Sequence, residues 1–317
     1  MEKILVIKLG ALGDFIQALG PMAAIRRHHP NANITILTTA PFKKFAEGCG
    51  YFNKVHIDEK PGVLNIGGWK RLKKFLNTEK FSRIYDLQNN DRTRFYFLLL
   101  TKKNKSEWVG TARHASHRNT SPDRTSGHAL EGHAQTLALA GIKDVGIDTL
   151  EWMKESIDSF GVRRPFVLLI PGCSPQRPEK RWPAENYARL AQILIQCGFQ
   201  PVIIGGPADQ DSVEKIMRSC PEASNLSGQT SLEQIATLAR EAAASIGNDT
   251  GPLHLIAATG CPVLALFSGT SHPVKHAPRG EKVEILIEND LKKLPIEKVL
   301  EHFRPRHEPI KKSAALH

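Results

Sequence analysis

The chain has 317 residues, of which 41% are apolar, so it is long enough for two domains and for real cores, which excludes wholesale disorder. The net charge of +11 is uneven: residues 1–150 hold 23 Lys and Arg against 13 Asp and Glu, whereas the remainder holds 20 against 19. No segment approaches the ~20 apolar residues of a membrane-spanning helix, and five widely spaced cysteines indicate reduced thiols in a cytosolic protein.

The basic first half predicts a polyanionic partner for that half alone. Nucleic acid, anionic lipid and a phosphorylated glycan all qualify, and the alternative is a basic surface that only maintains solubility. Because a strand begins by Lys3, we do not expect the N-terminus to be a cleavable signal.

The most informative segment comes first: an apolar strand runs into a glycine loop that ends on Asp14 at the start of a helix. Such a loop lies at the carboxyl edge of a parallel sheet, where open α/β folds bind their ligands. The spacing Gly10-x-x-Gly13-Asp14 lacks the G-x-G-x-x-G pattern of dinucleotide-binding loops. The carboxylate therefore indicates a role other than holding a pyrophosphate. Pro21 is expected to kink this helix or to split it after one turn.

Strands and helices alternate through both halves, and the short β-branched runs bounded by Gly and Pro predict parallel sheets. The expected strands are Lys3–Leu9, Asn33–Thr38, Lys54–Ile57, Arg83–Leu87, Phe166–Ile170, Pro201–Ile204, Ala243–Ile246 and Val263–Phe267. A helix is expected over Ala184–Cys197. We predict an α/β protein of two Rossmann-like domains, residues 1–158 and 159–294, that face each other across a cleft. A closing helix and a basic mobile tail are expected over residues 295–317.

Two elements concentrate the basic charge of the first half. Residues 69–76 predict an amphipathic helix whose apolar side either lies on a membrane surface or packs in the domain, with Lys70 and Arg71 among its bases. Residues 111–128 predict a long polar loop that carries Arg113, Arg118 and Arg124. Long loops in compact domains are often functional lids, and arginines suit a phosphate or a carboxylate.

In the second half, the segment Gly247–His254 follows a small-residue strand and opens a helix expected over Leu253–Thr259. Backbone N–H groups, Gly251 and the Thr250 hydroxyl there indicate a phosphate site at the helix N-terminus, with His254 one turn inside. Asp249 is suited to sugar hydroxyls. Capping of the helix by Asp249 or Thr250 is the alternative, and it is compatible with ligand binding.

A small-residue turn that includes Ser174 follows the strand Phe166–Ile170, and Lys180 and Arg181 come soon after it. The turn and the two bases suit a diphosphate, unless the bases are simply solvated at the surface. Metal-ligand spacing, a serine-hydrolase elbow and a Walker A loop are all absent from the sequence, so we expect neither a metal nor a cofactor.

Three segments, in order, resemble the signatures of the ADP-heptose:lipopolysaccharide heptosyltransferases and their relatives, the family 9 glycosyltransferases. They are residues 7–14 (Ile-Lys-Leu-Gly-Ala-Leu-Gly-Asp), Lys180-x-Trp182-Pro183, and residues 225–232 followed by Asp249-Thr250-Gly251-x-x-His254. The resemblance runs over about residues 1–290. Gly10 is a departure, because the family often has Ser there, and it weakens a hydroxyl role in that loop.

The resemblance implies a GT-B fold and an inverting, metal-independent transfer of heptose from ADP-heptose to a lipopolysaccharide inner-core (Kdo/heptose) acceptor. Asp14 resembles the catalytic base. The resemblance implies that Lys180, Asp249, Thr250 and Gly251 bind the donor, and from the loop chemistry we expect Ser174 and His254 to bind it as well. The acceptor-binding residues that we expect, in the N-terminal domain, are Lys8, Gly13, Lys70, Arg71, Arg113, Arg118 and Arg124.

The expected partners are a nucleotide-sugar donor and an anionic glycolipid acceptor, in the cytoplasm or on the inner face of the inner membrane. Other readings remain open: a GT-B transferase that uses another nucleotide-sugar such as UDP-GlcNAc, a GT-B epimerase or a sugar-nucleotide sensor. A polyanion- or nucleic-acid-binding protein is the alternative from another class. We do not expect nucleic acid, since aromatic residues are 7% of the chain and are not interleaved with the bases.

Overall fold

The structure is a computed structural model that describes residues 1–306. The chain divides into two compact units, one over Met1–Asp148 and one that begins at Thr149. The boundary that we predict from the sequence, after residue 158, falls later in the chain, inside the second unit. The predicted tail lies largely outside the described residues.

The first unit is a parallel sheet with helices. Its strands are β1 (Lys3–Ile7), β2 (Asn33–Thr38), β3 (Lys54–Ile57), β4 (Arg83–Asp86), β5 (Glu107–Gly110) and β6 (His117–Arg118). Its helices are α1 (Leu12–His28), α2 (Lys43–Gly48), α3 (Ile66–Thr78), α4 (Asp91–Leu98) and α5 (Ala129–Ala138). The strand order β3-β2-β1-β4-β5-β6 is that of a Rossmann sheet, and the order reverses between β1 and β4.

The second unit repeats this plan. Its strands are β7 (Phe166–Ile170), β8 (Gln200–Ile203), β9 (Ser224–Asn225), β10 (Ala244–Asn248), β11 (Val263–Ser268) and β12 (Val283–Glu288). Its helices are α6 (Ala184–Gln196), α7 (Gln210–Ser219), α8 (Leu232–Glu241), α9 (Gly251–Ala258), α10 (Pro273–His276) and α11 (Ile296–Glu301). The order β12-β11-β10-β7-β8-β9 reverses between β7 and β10. The prediction of two Rossmann-like domains is confirmed.

Burial explains why these segments read as strands. Every residue of β7 and β10 is buried, as is β1 after its first residue. Parallel strands covered on both faces need apolar residues throughout, and this produces the short apolar runs in the sequence. The strands that we did not predict, β5, β6, β9 and β12, are very short, carry a charged residue or lie at an edge of the sheet.

Helix α1 corrects the prediction made from Pro21. The helix runs without a break from Leu12 to His28, with Pro21 inside it. Pro21 is buried along with Leu19, Gly20 and Met22, so packing holds a helix that the missing N–H would otherwise weaken. A side chain at Gly20 would overlap the carbonyl oxygen of Gly146, which brings the end of the first unit close against α1.

Helix α3 decides between the two readings of residues 69–76. Leu72 and Leu76 are buried, and Trp69 and Phe75 are half-buried against the same core. The apolar side of α3 therefore packs in the domain, and the reading in which that side lies on a membrane is wrong.

Residues 111–128 are also more ordered than a long loop. They contain the two residues of β6 and a 3₁₀ turn over Pro122–Thr125. Strand β6 pairs with β5, and the turn packs closely on Gly132 of α5. The segment is therefore part of the sheet edge and not a structureless lid.

Candidate functional site

Each sheet offers one ligand position by topology. In an open parallel sheet, the loops that follow the two strands flanking the order reversal diverge, and this leaves a crevice at the carboxyl edge. In the first unit those loops follow β1 and β4, and in the second they follow β7 and β10. The loops after β1, β7 and β10 carry the motifs selected from the sequence.

Asp14 is the third residue of α1, directly after the glycine loop that follows β1. Its carboxylate is partly exposed, and Ala11 at the N-cap provides no capping side chain. Gly10 has a φ of +116°, and a Cβ there would lie 2.6 Å from the ring of Phe42. Both the backbone conformation and the neighbouring ring therefore favour glycine at this position.

Lys8 lies below this loop as a buried cation. Its Nζ donates to the carbonyl oxygen of Leu87 at 3.3 Å, across the β1–β4 reversal. Burial lowers the pKa of Lys8, and the charges of Asp14 and Asp86 oppose that shift. Burial also raises the pKa of Asp86 to about 6. Lys8 therefore supports the loop electrostatically from inside the unit, and it does not lie on the surface.

Hydrogen bonds connect the two loops at this edge. The N–H of Leu9 donates to Oε1 of Gln88 at 2.8 Å, and the Asp86 carboxylate accepts from the N–H groups of Gln88 and Asn89. Within residues 1–306, Oδ1 of Asn89 and Nε1 of Trp108 are buried without a hydrogen-bond partner, and both lie beside Gly110. Buried polar groups without partners are rare, so water or a hydroxyl-bearing ligand would stabilise them.

The other candidates of the first unit are dispersed. Gly13 is half-buried in the first turn of α1, next to Asp14. Lys70 and Arg71 are exposed on α3, where Arg71 forms an ion pair with Glu59 at 2.5 Å. The structure brings Lys8, Gly13 and Asp14 together, whereas Lys70 and Arg71 lie on a separate helix.

Arg113, Arg118 and Arg124 lie at the far side of the same sheet. Arg113 follows β5, Arg118 ends β6, and Arg124 lies in the 3₁₀ turn. Strands β5 and β6 are two and three positions from β1, which corresponds to roughly 10–15 Å. Within the described part of the chain the three guanidinium groups form no hydrogen bond or ion pair, so they are available to an anion at this edge.

In the second unit, Lys180 and Asp249 form an ion pair. Nζ of Lys180 lies 2.5 Å from Oδ2 of Asp249, and the two side chains are 18% and 10% exposed. The hydroxyl of Ser271 donates to the same oxygen at 3.1 Å. The loops after β7, β10 and β11 thus meet at one carboxylate, whose Oδ1 forms no hydrogen bond within residues 1–306.

Asn248 holds this arrangement together from inside. Its side-chain amide donates to the carbonyl oxygen of Pro171 at 2.8 Å. Its Oδ1 accepts from the N–H of Trp182 and the hydroxyl of Tyr187, each at 3.1 Å. Trp182 is buried, and its indole N–H donates to Leu294. The spacing Lys-x-Trp-Pro therefore combines a buried anchor with a lysine placed two residues earlier, at the edge of the sheet.

The N-terminus of α9 presents fewer donors than the sequence indicated. Pro252 has no N–H, and the N–H of Leu253 donates to the carbonyl oxygen of Thr250 at 3.1 Å. The hydroxyl of Thr250, the N-cap residue, forms no capping hydrogen bond. The N–H of Gly251 and the Thr250 hydroxyl are therefore the groups that α9 offers to a phosphate, and His254 is buried.

The two basic residues in the loop after β7, Lys180 and Arg181, have different partners. Arg181 donates to Asp209 at 3.1 Å and to the sulfur of Cys173 at 3.3 Å, so its charge is already compensated. Asp209 also packs against Gly172, where a Cβ would overlap its carboxylate. Ser174 is exposed, and its hydroxyl donates to Gln176. Lys180 is therefore the base directed to the Asp249 side.

Sequence reasoning missed Asn248, Ser271 and Gln88. Asn248 lies inside the motif that was selected, but a buried amide gives no local signal. Ser271 and Gln88 reach the site only through the arrangement of strands. Among residues 1–306, no cluster of three or more metal-ligating side chains occurs, and no described helix is long and apolar enough to cross a membrane. The five cysteines are all buried and form no disulfide.

Residues 69–304, most of the chain, match the family described as Glycosyltransferase family 9 (heptosyltransferase). The chain is 25% identical to lipopolysaccharide heptosyltransferase 2 of Salmonella typhimurium, with 90% of this chain and 87% of that protein covered. It is 26% identical to lipooligosaccharide heptosyltransferase 2 of Haemophilus influenzae, with 92% and 90% covered.

Solved structures show the same fold. The ADP-heptose lipopolysaccharide heptosyltransferase II of E. coli superimposes with a TM-score of 0.73 at 23% identity, covering 94% of this chain and 96% of that one. A glycosyl transferase family 9 structure from Veillonella parvula gives a TM-score of 0.75 at 24% identity, covering 90% and 86%. The GT-B fold implied by the sequence resemblance is confirmed.

Proposed function

The chain belongs to glycosyltransferase family 9 and is therefore a glycosyltransferase; from that premise we propose that it transfers heptose from ADP-heptose to a lipopolysaccharide inner-core acceptor. The names of its relatives support this reaction, since they are lipopolysaccharide and lipooligosaccharide heptosyltransferases. A structural neighbour from E. coli was solved with ADP. We further propose that the transfer inverts the anomeric centre and needs no metal.

The observation that carries the donor site is the Lys180–Asp249 pair at 2.5 Å, beside the N-terminus of α9. In the proposed complex, the Lys180 ammonium and the Gly251 N–H stabilise the diphosphate as it departs, because charge that develops in the transition state is best met by preorganised donors. The Thr250 hydroxyl adds a donor, and Oδ1 of Asp249 accepts from a sugar hydroxyl. Ser174, at the exposed end of the loop after β7, completes the set.

Asp14 is the proposed general base. As the acceptor oxygen bonds to C1 of the heptose, its proton passes to the Asp14 carboxylate, and the bond from C1 to the phosphate oxygen breaks to release ADP. The buried Lys8 lies beneath the loop that carries this carboxylate and interacts with its charge. Arg113, Arg118 and Arg124 provide unpaired positive charge for acceptor carboxylates and phosphates, and we place this reaction in the cytoplasm at the inner membrane.

The test is Asp14→Asn, with Asp91→Asn as its matched control. Both residues are aspartates in the first turn of a first-unit helix, and Asp91 starts α4 as an exposed residue. A positioned base contributes about 10²–10⁴-fold, so Asp14→Asn should lower turnover by that factor while the affinity for ADP stays unchanged. Asp91→Asn should keep full turnover.

Retained turnover in the Asp14→Asn variant would show that this carboxylate is not the base. The donor is tested separately, by thermal shifts with ADP-, UDP- and GDP-sugars followed by mass spectrometry of the product. A larger stabilisation by a UDP-sugar than by ADP-heptose would contradict the proposed donor and favour a transferase for another nucleotide-sugar.

A further inference from the structure

The turn that leads into α3 exposes three large apolar side chains within four residues. Val63 is 91% exposed, Leu64 is 93% exposed and Ile66 is 67% exposed. Single exposed apolar residues are ordinary, whereas a contiguous apolar surface marks an interaction site. We call residues 62–66 the apolar turn.

The apolar surface continues from this turn onto α4. The indole N–H of Trp69 donates to the carbonyl oxygen of Gly62 at 3.0 Å, and the Trp69 ring contacts Phe95 edge-on with centroids 5.0 Å apart. Phe95 and Leu98 are both exposed and lie on one face of α4, three residues apart. Two elements thus present apolar side chains to the solvent, and Trp69 joins them.

The apolar turn is a compact, hydrogen-bonded structure. The N–H of Asn65 donates to Gly62 at 2.9 Å, and the N–H of Ile66 donates to Leu64 at 3.0 Å. The Asn65 side chain caps α3 by accepting from the N–H of Gly68 at 2.8 Å. These internal hydrogen bonds leave fewer backbone groups of the turn to be desolvated at a headgroup boundary.

Positive charge surrounds this surface. Residues 60–105 hold twelve Lys and Arg against three Asp and Glu, a net charge of +9 out of +11 for the whole chain. The lysines of this segment that are exposed on or near α3 and α4 are Lys60, Lys70, Lys73, Lys74, Lys80, Lys102, Lys103 and Lys105. Asn77, near the end of α3, bonds to Leu99 and Thr101, which places the last three of these beside α3.

We propose that the apolar turn, with Phe95 and Leu98, inserts into the surface of an anionic membrane while the surrounding lysines bind the lipid headgroups. Apolar side chains at the headgroup boundary and lysines beside them are the two signals that peripheral membrane binding combines. A second copy of the chain fits this surface poorly. A symmetric contact would bring the same lysines of two copies together, and like charges oppose such an interface.

The position of the surface agrees with a membrane-bound acceptor. The apolar turn follows the carboxyl end of β3, so it lies on the edge of the first sheet that also carries Asp14. This inference extends the glycolipid acceptor of the proposed function. It is tested by lipid binding alone, so the two proposals fail independently.

The first test is sedimentation of the full chain with phosphatidylcholine vesicles, with and without phosphatidylglycerol. The wild-type protein should bind the anionic vesicles, and raised salt should weaken that binding. The variant Val63→Ser/Leu64→Ser should bind at least about tenfold more weakly, because two exposed apolar side chains no longer leave water. Val274→Ser is the matched control: Val274 is 70% exposed in the second unit, and its replacement should change nothing.

The second test separates charge from apolar contact. Lys73→Gln/Lys74→Gln should bind anionic vesicles more weakly than the wild type does. Its weak binding to neutral vesicles, which depends on the apolar side chains, should equal that of the wild type. Lys292→Gln/Lys293→Gln removes two adjacent exposed lysines from the second unit and should bind as the wild type does. Unchanged melting temperatures verify the folding of every variant.

Three results would overturn the proposal. They are no binding of the wild-type protein to anionic vesicles, wild-type binding by the Val63→Ser/Leu64→Ser variant, and a dimer of the wild type that this variant converts to a monomer. If the Val63→Ser/Leu64→Ser variant loses vesicle binding but transfers heptose to a soluble core acceptor as the wild type does, the proposed function stands and the membrane surface is supported. Loss of transfer in Asp14→Asn with full vesicle binding would support both.

Discussion

The replacement Lys180→Met tests the central contact of the second unit. Methionine keeps the apolar stem of the side chain and removes the ammonium that lies 2.5 Å from Asp249. The Asp249 carboxylate, which is only 10% exposed, then retains its hydrogen bond from the Ser271 hydroxyl but has lost its cation. A hydrogen bond to a charged group contributes about 1.5–3 kcal/mol, and breaking a fully buried pair costs about 3–5 kcal/mol. Because water reaches part of the pair, we expect Lys180→Met to lower the free energy of unfolding by about 2 kcal/mol.

A double-mutant cycle isolates the pair from its surroundings. Lys180→Met and Asp249→Asn are combined, and the coupling between them should be about 1–2 kcal/mol, since residues in direct contact are not additive. Hydrogen exchange measured on peptides that contain β7 reports unfolding of the second unit specifically. Lys180→Met should also weaken ADP binding by roughly ten- to a hundredfold, because a charge-assisted contact is lost.

The control is another ion pair of the same unit. Lys215 and Glu185 lie 3.1 Å apart, but they are 54% and 67% exposed. Exposed pairs contribute ~0–1 kcal/mol, so Lys215→Met should change stability by less than about 0.5 kcal/mol and leave ADP affinity unchanged. Equal effects of Lys180→Met and Lys215→Met in both measurements would show that burial and geometry do not set the strength of these two ion pairs.

Two further predictions concern the first unit. Burial raises the pKa of Asp86 from 3.8 to about 6, so between those values the folded state holds a proton that the unfolded state has released, and stability falls as pH rises. In urea unfolding, the stability of Asp86→Asn relative to the wild type should therefore rise by about 1–2 kcal/mol from pH 5 to pH 7. A difference in stability that does not change with pH would contradict the raised pKa of Asp86. Gly20→Ala places a methyl group on the Gly146 carbonyl oxygen and should cost about 2–3 kcal/mol. Gly67→Ala in α3, with no atom nearer than 3.6 Å, should instead stabilise by about 0.5 kcal/mol; equal effects of the two substitutions would contradict the close approach at Gly20.

The strand and loop that lead to Asp14 show what local pattern predicts well. An apolar run, two glycines and an acidic residue before a helical period define a strand–loop–helix unit within about 20 residues, and the structure has that unit. Pro21 shows the limit of the same reasoning. The effect of a proline on a helix depends on its packing, and distant parts of the chain provide that packing.

The surface of the first unit shows a second limit. Helical periodicity correctly predicted an amphipathic α3, but it did not decide whether the apolar side faces a core or a membrane. Of the exposed residues, Val63 and Leu64 precede the helix, Ile66 is its first residue, and the three follow no period. Their exposure became visible only when the neighbouring elements were in place.

Local sequence patterns predict the alternation of strands and helices, the parallel sheets, the family resemblance and the loop that ends on Asp14, because periodicity and turn chemistry act between near neighbours in the chain. Local patterns do not show that Lys180 pairs with Asp249, that Ser271 bonds to the same carboxylate, or that Asp209 compensates the charge of Arg181. These contacts join residues far apart in sequence. The order in which the strands pair brings their loops together, and strand order depends on burial across the whole sheet and not on any local pattern.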